Sequence, residues 1–191
     1  MPEIKNYSDE IKEYFGTLQA VIDRLNLTEI NSVLALLSEA YRRKKQIFIM
    51  GNGGSAATAS HFVCDFNKGI CEDKSTKFRM ICLNDNVPTM MAIANDLDYE
   101  SIFIEQLKNL MEPGDYVIGI SGSGNSENVL RAIKYANEHQ GVTIGFSGYS
   151  GGKLKDLTKF GVHVNINDMQ IVEDIHMILD HLMMKVLKKN L

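Results

Sequence analysis

Ile47-Phe48-Ile49-Met50-Gly51-Asn52-Gly53-Gly54-Ser55-Ala56-Ala57 is a short apolar run, then a glycine-rich loop, then residues that favour helix. Four apolar residues ended by glycines read as a buried strand, because a helix of that length would be marginal. Glycines let the backbone adopt positive φ and approach a ligand closely. Free amides at the start of the following helix attract an oxyanion, and the Ser55 hydroxyl adds a neutral donor. A second unit of the same form lies downstream, where a run over 116–120 leads into Ser121-Gly122-Ser123-Gly124-Asn125-Ser126.

Working outward, further apolar runs fall at 80–83, 143–146 and 162–166. Helical patterns separate the runs at about 55–68, 88–108, 126–139 and 152–159, with a last helix from about 169 to 189. Strands alternating with helices imply a parallel sheet covered on both faces. The expected fold is therefore α/β: a three-layer, doubly wound, five-stranded parallel sheet of flavodoxin-like order 2-1-3-4-5. In that order the winding reverses between the first and third strands, and ligands bind beyond their carboxyl ends. The two serine- and glycine-bearing loops follow those two strands. Together they can wrap a phosphate without an arginine.

Neither loop has the lysine of a Walker A sequence, and neither gives GxGxxG. A small phosphorylated metabolite is thus expected rather than a nucleotide. The formal charge of −4 offers no field for nucleic acid. The basic clusters at 42–45 and 185–189 end predicted helices, where cations complement the dipole. The apolar runs are too short to span a bilayer. The opening Met1-Pro2-Glu3-Ile4-Lys5-Asn6 lacks the pattern of a secretory signal. Three cysteines, Cys64, Cys71 and Cys82, form no CxxC pair and read as free thiols. No nucleic-acid partner, no membrane and a cytoplasmic location are the expectations.

The 191 residues suit a single domain, with 1–45 as a helical segment and 46–191 as the α/β core. Tyr7, Ile11, Tyr14, Leu18, Val21 and Leu25 draw a narrow stripe at spacings of four and three. Such spacing favours a helix–helix seam, hence an oligomer contact. Leu27-Thr28 reads as a break, with a second helix over about 29–44.

His61 and Asp65 lie four apart and share a helix face. Near the C-terminus Glu173, His176, Asp180 and His181 crowd one helix. Imidazoles and carboxylates together suit Zn²⁺ with a position open for substrate.

These motifs resemble the sugar isomerase (SIS) domain, and within it the sedoheptulose 7-phosphate (phosphoheptose) isomerase group. The resemblance rests on Gly51–Ala57 with His61, on Ile120–Ser126, on Ala94-Asn95-Asp96 and on Gly148-Tyr149-Ser150-Gly151-Gly152. It implies an enediol isomerisation between ketose and aldose phosphates by a homotetramer, with a ketoheptose 7-phosphate as substrate. It further implies Zn²⁺ on His61, Asp65, Glu173 and His181, with Asp65 as base and His181 as acid. Ser55, Ser121, Ser123 and Ser126 would hold the phosphate, with Asn52, Gly53, Asn95 and Asp96 on the sugar; Gly54, Gly122 and Glu173 complete the substrate site. Two positions depart from the group, which has Glu where this chain has Asp65 and Gln where it has Glu173. Glu173 and His181 are eight residues apart, about 12 Å of rise and about 80° of turn, so the long Glu must fold back or serve another subunit's site. Similar SIS proteins are non-catalytic binding modules, among them one that binds a replication initiator protein. The presence of His181 favours catalysis over that alternative.

Overall fold

A computed structural model describes residues 5–191; residues 1–4, where the reading of no secretory signal begins, lie outside the described residues. Two helices open the chain, α1 (Ser8–Ile22) and α2 (Leu27–Arg42). The core follows as β1 (Gln46–Met50), α3 (Gly54–Cys64), β2 (Arg79–Cys82), α4 (Val87–Asp96), α5 (Ile104–Leu110), β3 (Tyr116–Ser121), α6 (Glu127–Glu138), β4 (Val142–Ser147), α7 (Gly152–Leu157), β5 (Phe160–His163) and α8 (Met169–Asn190). A π-helical segment, Asp65–Ile70, continues α3, and a 3-10 turn, Tyr99–Ser101, precedes α5.

The sheet order is β2-β1-β3-β4-β5 with every pair parallel, as the strand–helix alternation requires. Side chains alternate between the two faces of each strand. Ile47, Ile49, Ile118, Ile120 and Phe146 enter one core with α2, α3 and α8; Phe48, Met50 and Val117 enter the other with α5, α6 and α7. Three layers result. The switch point between β1 and β3 leaves both glycine-bearing loops at one end of the sheet.

Several boundaries differ from the sequence reading for physical reasons. Leu27-Thr28 does not break the second helix but begins it: the Asn26 side chain accepts hydrogen bonds from the Thr28 and Glu29 amides at 3.0 and 3.3 Å. The helix expected over 88–108 is three pieces, because α4 ends at Asp96 and the 3-10 turn redirects the chain. The fifth strand lies earlier than 162–166. Its pairing with β4 starts at Phe160.

The N-terminal stripe divides. Leu18, Val21 and Leu25 join the chain's own core, whereas Tyr7, Ile11 and Tyr14 stay exposed. In α2, Val33, Leu37 and Ala40 are fully buried against the same core, so this helix belongs to the domain body.

Candidate active site

The second serine loop is held from behind. Gly148 N–H donates to the Gly122 carbonyl at 2.8 Å, and Leu154 N–H donates to the Gly124 carbonyl at 2.9 Å. Gly124 has φ +66°, and an added Cβ would lie 1.9 Å from the Gly151 carbonyl oxygen. Only glycine permits that approach. Beyond it, Ser121 and Ser126 hydroxyls lie 3.0 Å apart. Ser55, on the first turn of α3, is buried like Ser121, at 5% and 4% exposure. A cavity of about 140 Å³ is lined by Asn52, Ser55, Ser121, Gly122, Ser123, Ser126 and Glu173, with no lysine or arginine among its walls. Hydroxyls, helix-start amides and close backbone are what remain to receive an anion. A second cavity, of about 270 Å³, lies at the β5 edge between α2 and α7 and contains none of these residues.

Helices α3 and α8 run side by side from this cavity. Glu173 packs so tightly on Gly54 that an added Cβ would meet its carboxylate at 2.3–2.5 Å. Seven residues further along each helix, His61 meets Asp180, with Nε2 3.9 Å from Oδ2. His61 Nε2 and His181 Nε2 are 3.0 Å apart, and Asp65 Oδ2 lies 3.8 Å from the first and 4.0 Å from the second. The π-helical segment carries Asp65 at its first position, and Asn67 pins that segment to β2. Its amide donates to the Met80 carbonyl at 2.8 Å and accepts from the Met80 N–H at 3.1 Å. π-Helical turns of this kind often mark functional positions.

One ligand atom from each of His61, Asp65, Asp180 and His181 lies within 4.8 Å of the others. Asp65 Oδ2 and both Asp180 carboxylate oxygens are buried without a hydrogen-bond partner among the described residues. Burial, with the Asp65 charge second, pushes the Asp180 carboxyl up to about 8. Buried carboxylate oxygens without donors, facing two imidazole nitrogens, form a set that a divalent cation would satisfy. The residues fit a metal.

His61, Asp65 and His181, which the resemblance placed on one metal, lie together in the structure, and the fourth donor beside them is Asp180. Glu173 stands two turns away on the serine side, for the reason already visible in the helical rise. Asn95 and Asp96 lie exposed in the last turn of α4, hydrogen-bonded to each other at 2.9 Å and outside the cavity wall. Gly53 turns the first loop with φ +54°. In the sequence Asp180 is one of several acidic and histidine residues crowding the last helix, and nothing there sets it beside His61, because that depends on the register of α8 against α3.

Residues 11–148 match the pattern of the SIS domain family. The chain is 33% identical over 190 residues to the phosphoheptose isomerase of Clostridium acetobutylicum, covering 98% of this chain and 96% of that one. The chain belongs to the SIS domain family of phosphoheptose isomerases. A second relative of the family, the phosphoheptose isomerase of Geotalea daltonii, is 34% identical over 186 residues, 96% of each chain. The solved phosphoheptose isomerase GmhA of Neisseria gonorrhoeae superposes with a TM-score of 0.88 at 25% identity, covering 96% of this chain and 100% of that one. The solved relative has the same α/β architecture, and all three carry the phosphoheptose isomerase name. No helix among the described residues is long and apolar enough to cross a membrane.

Proposed function

We propose that this chain is an intramolecular aldose–ketose isomerase that converts sedoheptulose 7-phosphate to D-glycero-D-manno-heptose 7-phosphate. One observation carries the reading most directly. The serine cavity and the imidazole–carboxylate cluster sit on the same pair of helices, seven residues apart on each, hence separated by about 10 Å of rise. An extended ketoheptose 7-phosphate spans about 9–10 Å from phosphorus to its carbonyl end, with carbon–carbon bonds of about 1.5 Å. The serine loops would take the phosphate while the carbonyl end reaches the cluster.

Isomerisation removes a proton from C1 of the ketose, passes through an enediol and returns a proton to C2. Asp65 lies beside both imidazoles and offers the base through the carboxylate oxygen that a cation on Oδ2 would leave free. His181, with an exposed ring, is placed to move a proton at the substrate oxygens. Ser55, Ser121, Ser123 and Ser126 bind the phosphate and Asn52 orients the sugar chain. His61, Asp65, Asp180 and His181 would hold a cation, Zn²⁺ by donor type, and Glu173 stays on the phosphate side. A bound cation would polarise the carbonyl and stabilise the developing oxyanion. The exposed part of the N-terminal stripe, Tyr7, Ile11 and Tyr14, supports assembly into a homotetramer. A cytoplasmic location accords with free thiols.

The test is incubation of the purified protein with sedoheptulose 7-phosphate, with added zinc and then with chelator, following the aldose product. Zinc-dependent turnover is expected. Phosphosugar binding without turnover under any of these conditions would replace the isomerase with a binding module.

A further inference from the structure

We infer that Asn128 and Tyr99 are positioning residues that fix the Asn52 amide as a pure hydrogen-bond donor towards the sugar, so that the site selects an oxygen acceptor and rejects an ammonium at that point. The inference rests on the phosphosugar reading of the cavity. The side chains of Asn52, Asn128 and Tyr99 form a closed hydrogen-bond set in which every direction is determined.

Asn128, at the second position of α6, is 2% exposed. Its Oδ1 accepts from the Val129 backbone N–H at 2.9 Å. A backbone amide can only donate, so the oxygen of the Asn128 amide is identified. Asn52 Nδ2, 2.9 Å from that oxygen, must therefore donate to it. The Asn128 Nδ2 donates in return to Asn52 Oδ1, also at 2.9 Å. The Tyr99 hydroxyl is 2.8 Å from the same Asn52 oxygen and, facing an acceptor, donates. Both lone pairs of that oxygen are then used, and one of the two N–H donors. What Asn52 has left for the cavity it lines is a single N–H.

That donor suits a hydroxyl or carbonyl oxygen. It is mismatched to the ammonium of an amino-sugar phosphate, which has donors only. The arrangement is built from one helix. Arg131, three residues after Asn128, is 3.2 Å from Asp98 Oδ1 and donates to the Ser101 hydroxyl at 3.4 Å, which anchors the turn bearing Tyr99.

The test uses the full chain, with N52A, N128A and Y99F. Tyr99 is 54% exposed, so Y99F removes a hydroxyl without emptying a core position. Each of N128A and Y99F is expected to lower kcat/KM for sedoheptulose 7-phosphate about fivefold, the worth of one neutral hydrogen bond. Inorganic phosphate, held by the serines, should bind all three variants as it binds wild type. In the N52A background, N128A and Y99F should each add less than about twofold, because they act through Asn52. Effects that multiply with that of N52A would overturn the inference. The Asn52 side-chain amide signals, identified by their loss in N52A, provide a readout that does not need turnover: they should move in both N128A and Y99F. Unmoved signals would overturn the inference even in an active enzyme. Moved signals in a protein that never isomerises would sustain it while refuting the isomerase reading.

Discussion

Acidification should weaken this fold through one buried side chain, His176. It is 1% exposed, with its ring edge-on to Phe146 at 5.8 Å, and neither ring nitrogen makes a hydrogen bond. Burial, the larger cause, holds its pKa down to about 4, and the nearby Ser147 backbone, outside hydrogen-bond geometry, opposes it. In the unfolded chain the same ring titrates near about 6.5. A folded pKa below the unfolded one means that the unfolded chain binds more protons between those values. Stability is therefore complete above about pH 6.5 and is lost as pH falls towards about 4. The loss from this residue is about 2 kcal/mol between pH 7 and pH 5, and about 3 kcal/mol once pH 4 is passed. The assay is urea unfolding at several pH values and fixed protein concentration, with chelator present so that cation release adds nothing. Wild type should lose about 2 kcal/mol more than H176F over pH 7 to 5. H176Q gives the same comparison if phenylalanine overpacks the site. Equal pH slopes for wild type and both variants would refute the reasoning, because the buried neutral imidazole would then not be what acid attacks.

Three further variants have outcomes set by the site. G124A should unseat the second serine loop, since its Cβ would lie 1.9 Å from the Gly151 carbonyl oxygen at φ +66°; a melting temperature well below wild type, with loss of phosphate binding, is expected from circular dichroism and calorimetry. D180N should weaken Zn²⁺ binding by at least the tenfold or so that even an outer-shell loss costs, read by equilibrium dialysis, whereas E173Q should leave zinc affinity near wild type and strengthen binding of inorganic phosphate by removing a like charge from the cavity wall.

Much of the architecture is local in origin. Period and length separate strands from helices, and the parallel sheet follows from their alternation because parallel neighbours need a crossover. The two loops that follow β1 and β3 were legible because glycine and serine advertise backbone approach and hydroxyl donors. His61 and Asp65 were legible as a pair because four residues return to the same helix face. The expected α/β order and its switch point could thus be read from sequence.

Tertiary structure decided what depends on elements distant in the chain. The fifth strand starts at Phe160 because its bonds to β4 begin there, and pairing register is not encoded in its own hydrophobicity. The N-terminal stripe looks uniform in sequence, but only its last turns reach the core. Asn128 carries no motif and acts through Asn52, 76 residues away. The choice between Glu173 and Asp180 is the sharpest case. Both lie on one crowded helix, and only the register of α8 against α3 puts Glu173 on Gly54 and Asp180 beside His61. The sequence by itself determined which kinds of groups the protein would bring to one end of its sheet. Which of them meet was settled by helix packing, since side chains two turns apart on the same helix are about 10 Å apart and cannot hold one metal ion between them.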